Sequence, residues 1–328
     1  MKRRDIVVWT VGAGLWPFTA RGAWSADTPP KIGWLKIQDQ RHTPEQLKAF
    51  RQGLSALGQI EGRDYVLVER YGEDKEARLP DLARDLVGLG VRLILATSQP
   101  SVTAAARATR TVPIIGRLND DPVANGMAKS LARPGGNISG VYSLAEELIP
   151  KRLSLLKEAI PSARRVGVLL RDDWPNARRA WQAAEKAAAE VRLELVGLNA
   201  RSASDLVAVL DDASAKHLDG IITFRNPTVV TYSKLIVEQC RKLRLPTVFD
   251  DAREYVDTGG LMSYGPDVDA IYRQLARFAV KIINGAQPGE IPIEEPTKFE
   301  LVINRRTASE IGVQLPADLV ANADRVIE

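Results

Sequence analysis

The stretch Val91-Arg92-Leu93-Ile94-Leu95-Ala96 is apolar almost throughout, without the polar alternation of a half-exposed strand. Such a strand has to be covered on both faces, which points to a parallel sheet flanked by crossover helices. The neighbouring residues supply helices of that kind. Thr43-Pro44-Glu45-Gln46 reads as a cap, an N1 proline and a capping-box glutamine, with Leu47, Phe50, Leu54 and Leu57 following at helical spacing and Gly58 as the stop. Lys31 to Leu35 and Tyr65 to Val68 read as strands, Ala77 to Leu89 as an amphipathic helix, and Val102 to Ala108 as a short one. Pro113 to Gly116 is expected to form a fourth strand and Asn137 to Val141 a fifth. Asn119-Asp120-Asp121-Pro122 is expected to open a helix that Arg133-Pro134-Gly135-Gly136 closes.

A second series of the same kind follows. Strands are expected at 165–170, 193–196, 220–224 and 246–249, with helices over 151–159, 176–190, 229–243 and 267–284. Ser202 to Asp205 forms a further capping box. Gly259 to Asp267 reads as a glycine turn, a short buried strand and a Gly265-Pro266 break before the Asp267 cap. That places Tyr264 at a strand's C-terminal end, where it either touches a ligand or is satisfied within a loop. Ile291 to Pro296 is a linker, 299–303 a late strand, and two short helices end the chain.

Residues 1–26 read as an export signal: basic Lys2-Arg3-Arg4, an apolar run from Ile6 to Phe18, and small residues for cleavage near Ser25 or Ala26. The apolar run is too short to span a bilayer comfortably, so the mature chain is expected not to insert in a membrane. Removing Lys2, Arg3, Arg4 and Arg21 against Asp5 takes three positive charges from the formal +4, leaving about +1. A near-neutral body argues against a nucleic-acid partner, which would need a basic face. The lone Cys240 sits in a helical pattern and reads as a small buried hydrophobe. About 300 mature residues exceed what one core usually absorbs, so two domains are expected.

Several stretches together resemble the periplasmic substrate-binding proteins of ABC importers, in the group that includes tryptophan- and other amino-acid-type binders. They are Phe50 to Leu54, Leu79 to Ala83, Asp121 to Val123, Leu131 to Val141, Gly259 to Asp267 and Pro296 to Asn304. The resemblance covers essentially the whole mature chain. It implies an α/β fold of the type I periplasmic-binding-protein kind: two hinged Rossmann-like domains with parallel sheets, joined by three crossings and closing like a flytrap on a small ligand. One lobe would comprise residues 27–141 plus 265–293, the other 142–264 plus 294–328. The implied partners are a small-molecule ligand and an ABC permease with its ATPase. A monomer without cofactor or metal is expected.

By that resemblance, and independently by the rule that ligands meet strand C-termini in open α/β sheets, the binding residues should come from Ser98, Gln99, Ser101, Asn119, Asp120, Trp174, Asn226, Asp250 and Tyr264. Arg117, Arg171 and Arg225 depart from the family's smaller residues at three strand ends. Guanidinium matches carboxylate geometry, so two of them facing the cleft would clamp a carboxylate across it; alternatively each is solvated or paired with a neighbouring Asp. Asp250 could accept an ammonium, whereas Asp251 is expected to cap the helix that carries Glu254 and Tyr255. Trp34 is expected in the core. The expected ligand is therefore an amino acid or an aromatic or aliphatic acid.

Catalysis finds little support. His42 precedes a helix cap and His217 sits in a turn beside Asp219, neither near a nucleophile elbow, a P-loop or metal-spaced partners. A transcriptional regulator would share the fold, but no helix-turn-helix precedes the first strand. The alternative to a transport component is a periplasmic sensor that presents its closed form to a signalling receptor.

Overall fold

The computed structural model describes residues 28–40, 44–174, 176–213 and 215–328. The export segment at 1–26, His42 and the Thr43 cap lie outside them. The first sheet is built from β1 (Lys31–Lys36), β2 (Val66–Tyr71), β3 (Leu93–Ala96), β4 (Ile114–Leu118) and β5 (Ile138–Tyr142). These strands are all parallel, in the order β2-β1-β3-β4-β5. Three helices connect them, α1 (Pro44–Ala56), α2 (Leu79–Gly88) and α3 (Gln99–Ala108). The buried pattern of β3 is continuous, as its unalternated sequence requires.

After β5 the chain crosses to a second sheet through α4 (Ile149–Ala159). The elements that follow are β6 (Arg165–Leu170), α5 (Ala177–Glu190), β7 (Glu194–Asn199), α6 (Ala203–Asp211), β8 (Gly220–Thr223), α7 (Pro227–Thr231), α8 (Ser233–Lys242), β9 (Thr247–Phe249) and β10 (Met262–Pro266). The chain then leaves for α9 (Val268–Ile283), and returns as β11 (Phe299–Asn304), α10 (Arg305–Ile311), α11 (Ala317–Ala321) and β12 (Arg325–Ile327). The second sheet has the order β12-β11-β10-β9-β8-β6-β7, parallel except where β10 meets β11. Strand order reverses between β1 and β3 in one sheet and between β6 and β8 in the other, and the crevices beyond those strand ends are where such sheets receive ligands.

Helix α9 follows the second sheet in sequence but packs on the first. Ile271, Tyr272 and Leu275 share a core with Trp34 and Phe50, and the Trp34 and Tyr272 rings stack at 5.5 Å. Trp34 is thus a core residue, as expected. A Cβ on Gly53 would lie 2.7 Å from the Ala276 Cβ, so only glycine lets α1 approach α9 this closely. Cys240 is buried beside Ile236 and Val237, and burial alone pushes its thiol pKa up to about 12.

Four local expectations differ from the structure. No helix forms between β4 and β5. Asp121 does cap a turn, accepting from the Val123 and Ala124 amides, but Gly126 at φ +75° ends it and no apolar stripe follows to propagate it. The helix expected over 229–243 is two, broken at Tyr232. Tyr264 is not at a strand end: β10 continues to Pro266, and Tyr264 is paired with Leu301. Gly265 is there for contact, because a Cβ would sit 2.0 Å from the Asp250 carbonyl oxygen. Finally, three-residue β12 is too short to show a period in sequence.

Candidate functional site

The C-terminal ends of β1, β3 and β4 face those of β6 and β8 across a cavity of about 530 Å³ of empty space, its mouth included. A wider vestibule adjoins it, sharing Lys36, Gln38, Gln46, Thr231 and Glu254 with the inner cavity. Both lobes contribute to the walls, but by different chemistry.

The first lobe's wall is built on amides and hydroxyls held by hydrogen bonds, with Lys36, Arg117 and Asp120 as its charged members. Ser98 caps α3, its hydroxyl 2.9 Å from that of Ser101. The Gln99 carboxamide oxygen accepts from the backbone N–H groups of Asn119 (3.1 Å) and Asp120 (3.3 Å), fixing the loop after β4 against the start of α3. Asn119 in turn accepts the Ser143 hydroxyl at 2.9 Å. Burial raises the Asp120 carboxyl pKa, while Trp174, Asn176, Arg179 and Arg225 work in the other direction. Lys36 ends β1 buried at 3% exposure, donating to the Gln46 carboxamide oxygen at 2.5 Å. Burial lowers its pKa to about 7 despite the attraction of Glu254 and Asp251.

The second lobe's wall is ionic. Arg225 follows β8 and donates Nη1 to Asp250 Oδ2 at 2.7 Å and Nη2 to Glu254 Oε1 at 3.0 Å. Burial disfavours its charge, but Glu254, Asp250 and Asp251 outweigh that and hold its pKa well above the ordinary value. Burial likewise acts against the Asp250 charge, and the Arg225 and Arg152 guanidiniums overcome it and keep the pKa low. Glu254 goes the other way: burial, with Asp251 nearby, raises its pKa in spite of Arg225. Asp251 caps the 252–256 turn through Oδ1, as expected. Its Oδ2 also accepts from Arg117 Nη1 of the first lobe at 3.2 Å, a bridge between lobes with both side chains almost fully buried.

The cavity therefore brings together Ser98, Gln99, Arg117, Asn119, Asp120, Trp174, Arg225 and Asn226. Asn226 is largely committed to its turn, capping α7 and donating to the Phe224 carbonyl. Four expected residues stand elsewhere. Ser101 is buried behind Ser98, and Asp250 stands behind Arg225. Arg171 borders a smaller pocket on the other side of Trp174, pairs with Asp173 and lies 5.8 Å from the indole ring centroid. Tyr264 stacks on Phe299 near Lys151, outside the cavity lining.

Of the three strand-end arginines, Arg171 is paired with its neighbour Asp173 outside the cavity, the alternative weighed for each of them. Two arginines line the cavity, one from each lobe; Arg117 Nη1 serves Asp251, Arg225 Nη1 and Nη2 serve Asp250 and Glu254, and the Nε of each is buried without a partner among the described residues. A guanidinium that must be buried needs a counter-charge, and the chain supplies it from the Asp250-Asp251 pair and from Glu254 one turn further. Sequence reading missed Lys36, Gln38, Gln46 and Glu254. The spacing Asp250, Asp251, Glu254 was the available signal, since carboxylates three and four apart share one face of a turn.

A family model described as ABC transporter substrate binding protein matches residues 39–327. The tyrosine-binding protein of Clostridioides difficile (strain R20291) is 25% identical over 288 residues, covering 88% of this chain and 82% of that protein. Two solved structures have the same fold. An ABC domain in complex with L-Trp from Streptococcus pneumonia superposes with a TM-score of 0.82 at 22% identity, covering 92% of this chain and 100% of the other. A conserved domain protein from Vibrio cholerae gives 0.81 at 24% identity, covering 90% and 99%.

Proposed function

Because this chain belongs to the ABC transporter substrate-binding protein family, we propose that it captures an amino acid in the interlobe cavity and delivers it to an ABC permease and its ATPase. Charge balance in and behind the cavity wall carries this reading. Arg117, Arg152, Arg225 and Lys36, whose pKa is lowered to about 7, stand against Asp250, Asp251 and the Asp120 and Glu254 carboxyls, whose pKa values are raised, so both signs are present in similar measure. A balanced wall has little excess field to offset a dicarboxylate or a free cation, whereas a zwitterion brings both signs in the proportion the wall offers. The carboxylate would meet the Arg117 and Arg225 guanidiniums and the ammonium the Asp120 carboxylate, with Trp174 beside the side chain. The relatives with L-Trp and tyrosine in their descriptions favour the same class.

Export belongs to the same proposal: residues 1–26 act as the signal, with cleavage near Ser25 or Ala26, leaving a monomeric periplasmic chain. Among the described residues no helix is long and apolar enough to cross a membrane.

A thermal-shift screen of refolded mature protein against the common amino acids, aromatic acids and dicarboxylates tests the reading. A true ligand at a hundredfold excess over its Kd adds about 2.7 kcal/mol of stability, which is readily seen as a raised Tm. A well-folded sample that no amino acid shifts would contradict the proposal.

A further inference from the structure

Arg152 is among the most deeply buried charged side chains of the molecule, at 2% exposure, yet it lies outside the cavity lining. Its Nε donates to the Tyr264 carbonyl and its Nη1 to the Ala145 carbonyl, both at 2.9 Å. Ala145 lies where the chain passes from β5 to α4, and Tyr264 two residues before β10 ends and the chain leaves for α9. One guanidinium therefore ties the first connection between the lobes to β10, two residues before the second connection begins. A rotation of one lobe against the other changes the relation of these connections, because among the described residues the chain passes between the sheets at β5 to α4, β10 to α9 and α9 to β11.

Two further polar atoms of this cluster are unused. Arg152 Nη2 is buried without a partner among the described residues, and so is Asp250 Oδ1. The Arg152 charge acts on Asp250 second only to that of Arg225 among the neighbouring charges. Asp250 reaches the cavity through its 2.7 Å bond to Arg225, and its own carbonyl abuts Gly265, the residue after the Tyr264 that Arg152 grips. An unused donor and an unused acceptor, complementary in charge but not paired with each other, thus belong to side chains next to the hinge and to the arginine of the binding wall.

We propose that Arg152 is a positioning residue that ties lobe closure to the binding wall: it clamps the first connection to β10 beside the second in the closed arrangement, and its charge acts on Asp250, and through it on Arg225, at the cavity. A movement of Asp250 that brought the two unused atoms together would loosen its bond to Arg225 Nη1 and so alter the binding wall. The state of the wall and the state of the hinge are then coupled through one carboxylate. The inference rests on closure of the two lobes in the proposed function, but not on the identity of the ligand.

The test measures the distance between spin labels placed across the vestibule mouth at Glu45→Cys and Thr258→Cys in ligand-free protein. Cys240 is buried and stays unlabelled. Arg117→Met removes the buried bridge between lobes and supplies the open reference. The parent is expected to retain a short-distance population that Arg152→Met depletes at least tenfold, with Arg152→Lys intermediate because it keeps the charge but cannot serve both carbonyls. Asp250→Asn alone should shift the population in the same direction, and in its background Arg152→Met should change the ratio less than twofold further. Because Asp250→Asn is nearly isosteric, it decides the matter even if Arg152→Met fails to fold. A parent already matching the open reference, an unmoved distribution in Asp250→Asn, or equal Arg152 effects with and without Asp250 would each overturn the proposal. Since no ligand is added, these outcomes are independent of whether the amino-acid reading holds.

Discussion

The two walls of the cavity bury polar groups in opposite ways. On the first lobe, beside the charged Lys36, Arg117 and Asp120, the neutral Ser98, Gln99 and Asn119 are each positioned by hydrogen bonds around the ends of β3, β4 and β5. On the second, Arg225, Asp250, Asp251 and Glu254 are ionic and depend on one another. Removing a member of the neutral wall leaves an unmade hydrogen bond, a local loss. Removing a member of the ionic wall leaves a buried charge without compensation, which spreads to every partner. The neutral wall suits a preformed docking face and the ionic wall a face that responds to occupancy.

Arg225→Met should give the largest effect. It strands Asp250 and Glu254, and urea unfolding of the ligand-free protein should show a loss of about 3–5 kcal/mol. A loss below about 1 kcal/mol would show that the ionic wall is not mutually dependent. On the neutral wall, Gln99→Ala leaves the Asn119 and Asp120 amides without their acceptor and should cost about 1–3 kcal/mol in the same assay. If its cost equals that of Arg225→Met, the contrast between the walls fails.

Lys36 sharpens the comparison because it is the cation that the first lobe contributes from β1. Its folded pKa is lowered from 10.5 to about 7, so below pH 7 it is charged in both states and the cost of burying that charge is fully present. Between pH 7 and 10.5 the unfolded chain binds the proton that the folded chain has released, so this group makes stability rise with pH, by at most about 1.4 kcal/mol per unit. The difference in Tm between wild type and Lys36→Met should therefore move in favour of the wild type from pH 7 to 9; a flat difference would mean that Lys36 keeps its ordinary pKa. The smallest effect is expected of Ser98→Ala, which removes the α3 cap at a cost of about 1 kcal/mol by chemical denaturation.

The same contrast explains what could be read in the sequence. Elements defined by local chemistry were legible: the apolar β3, the Ser202 cap on α6, the Asp251 cap, and the neutral wall at the start of α3, where Ser98 and Gln99 follow a strand directly. The partners of the ionic wall were not, because pairing is set by tertiary distance. Arg117 meets a carboxylate 134 residues away, and nothing in its own neighbourhood indicates that Asp251 rather than Asp120 receives it. Tyr264 misled for the opposite reason: Gly265-Pro266 looks like a local break, but the antiparallel pairing with β11 carries the strand through it. Lys36 gave no signal at all, since a lysine ending a strand normally reaches solvent.

The central claim is that the cavity receives a zwitterion, and calorimetric titration of refolded protein with the amino acid that performs best in the thermal screen, its carboxamide and its deaminated acid tests it most directly. Both altered compounds should bind at least tenfold more weakly than the amino acid, because each leaves one sign of the wall's charge unanswered. Undiminished binding of either one would contradict the claim: of the acid, by showing that the wall reads a carboxylate alone; of the amide, by showing that Arg117 and Arg225 serve only their own carboxylates.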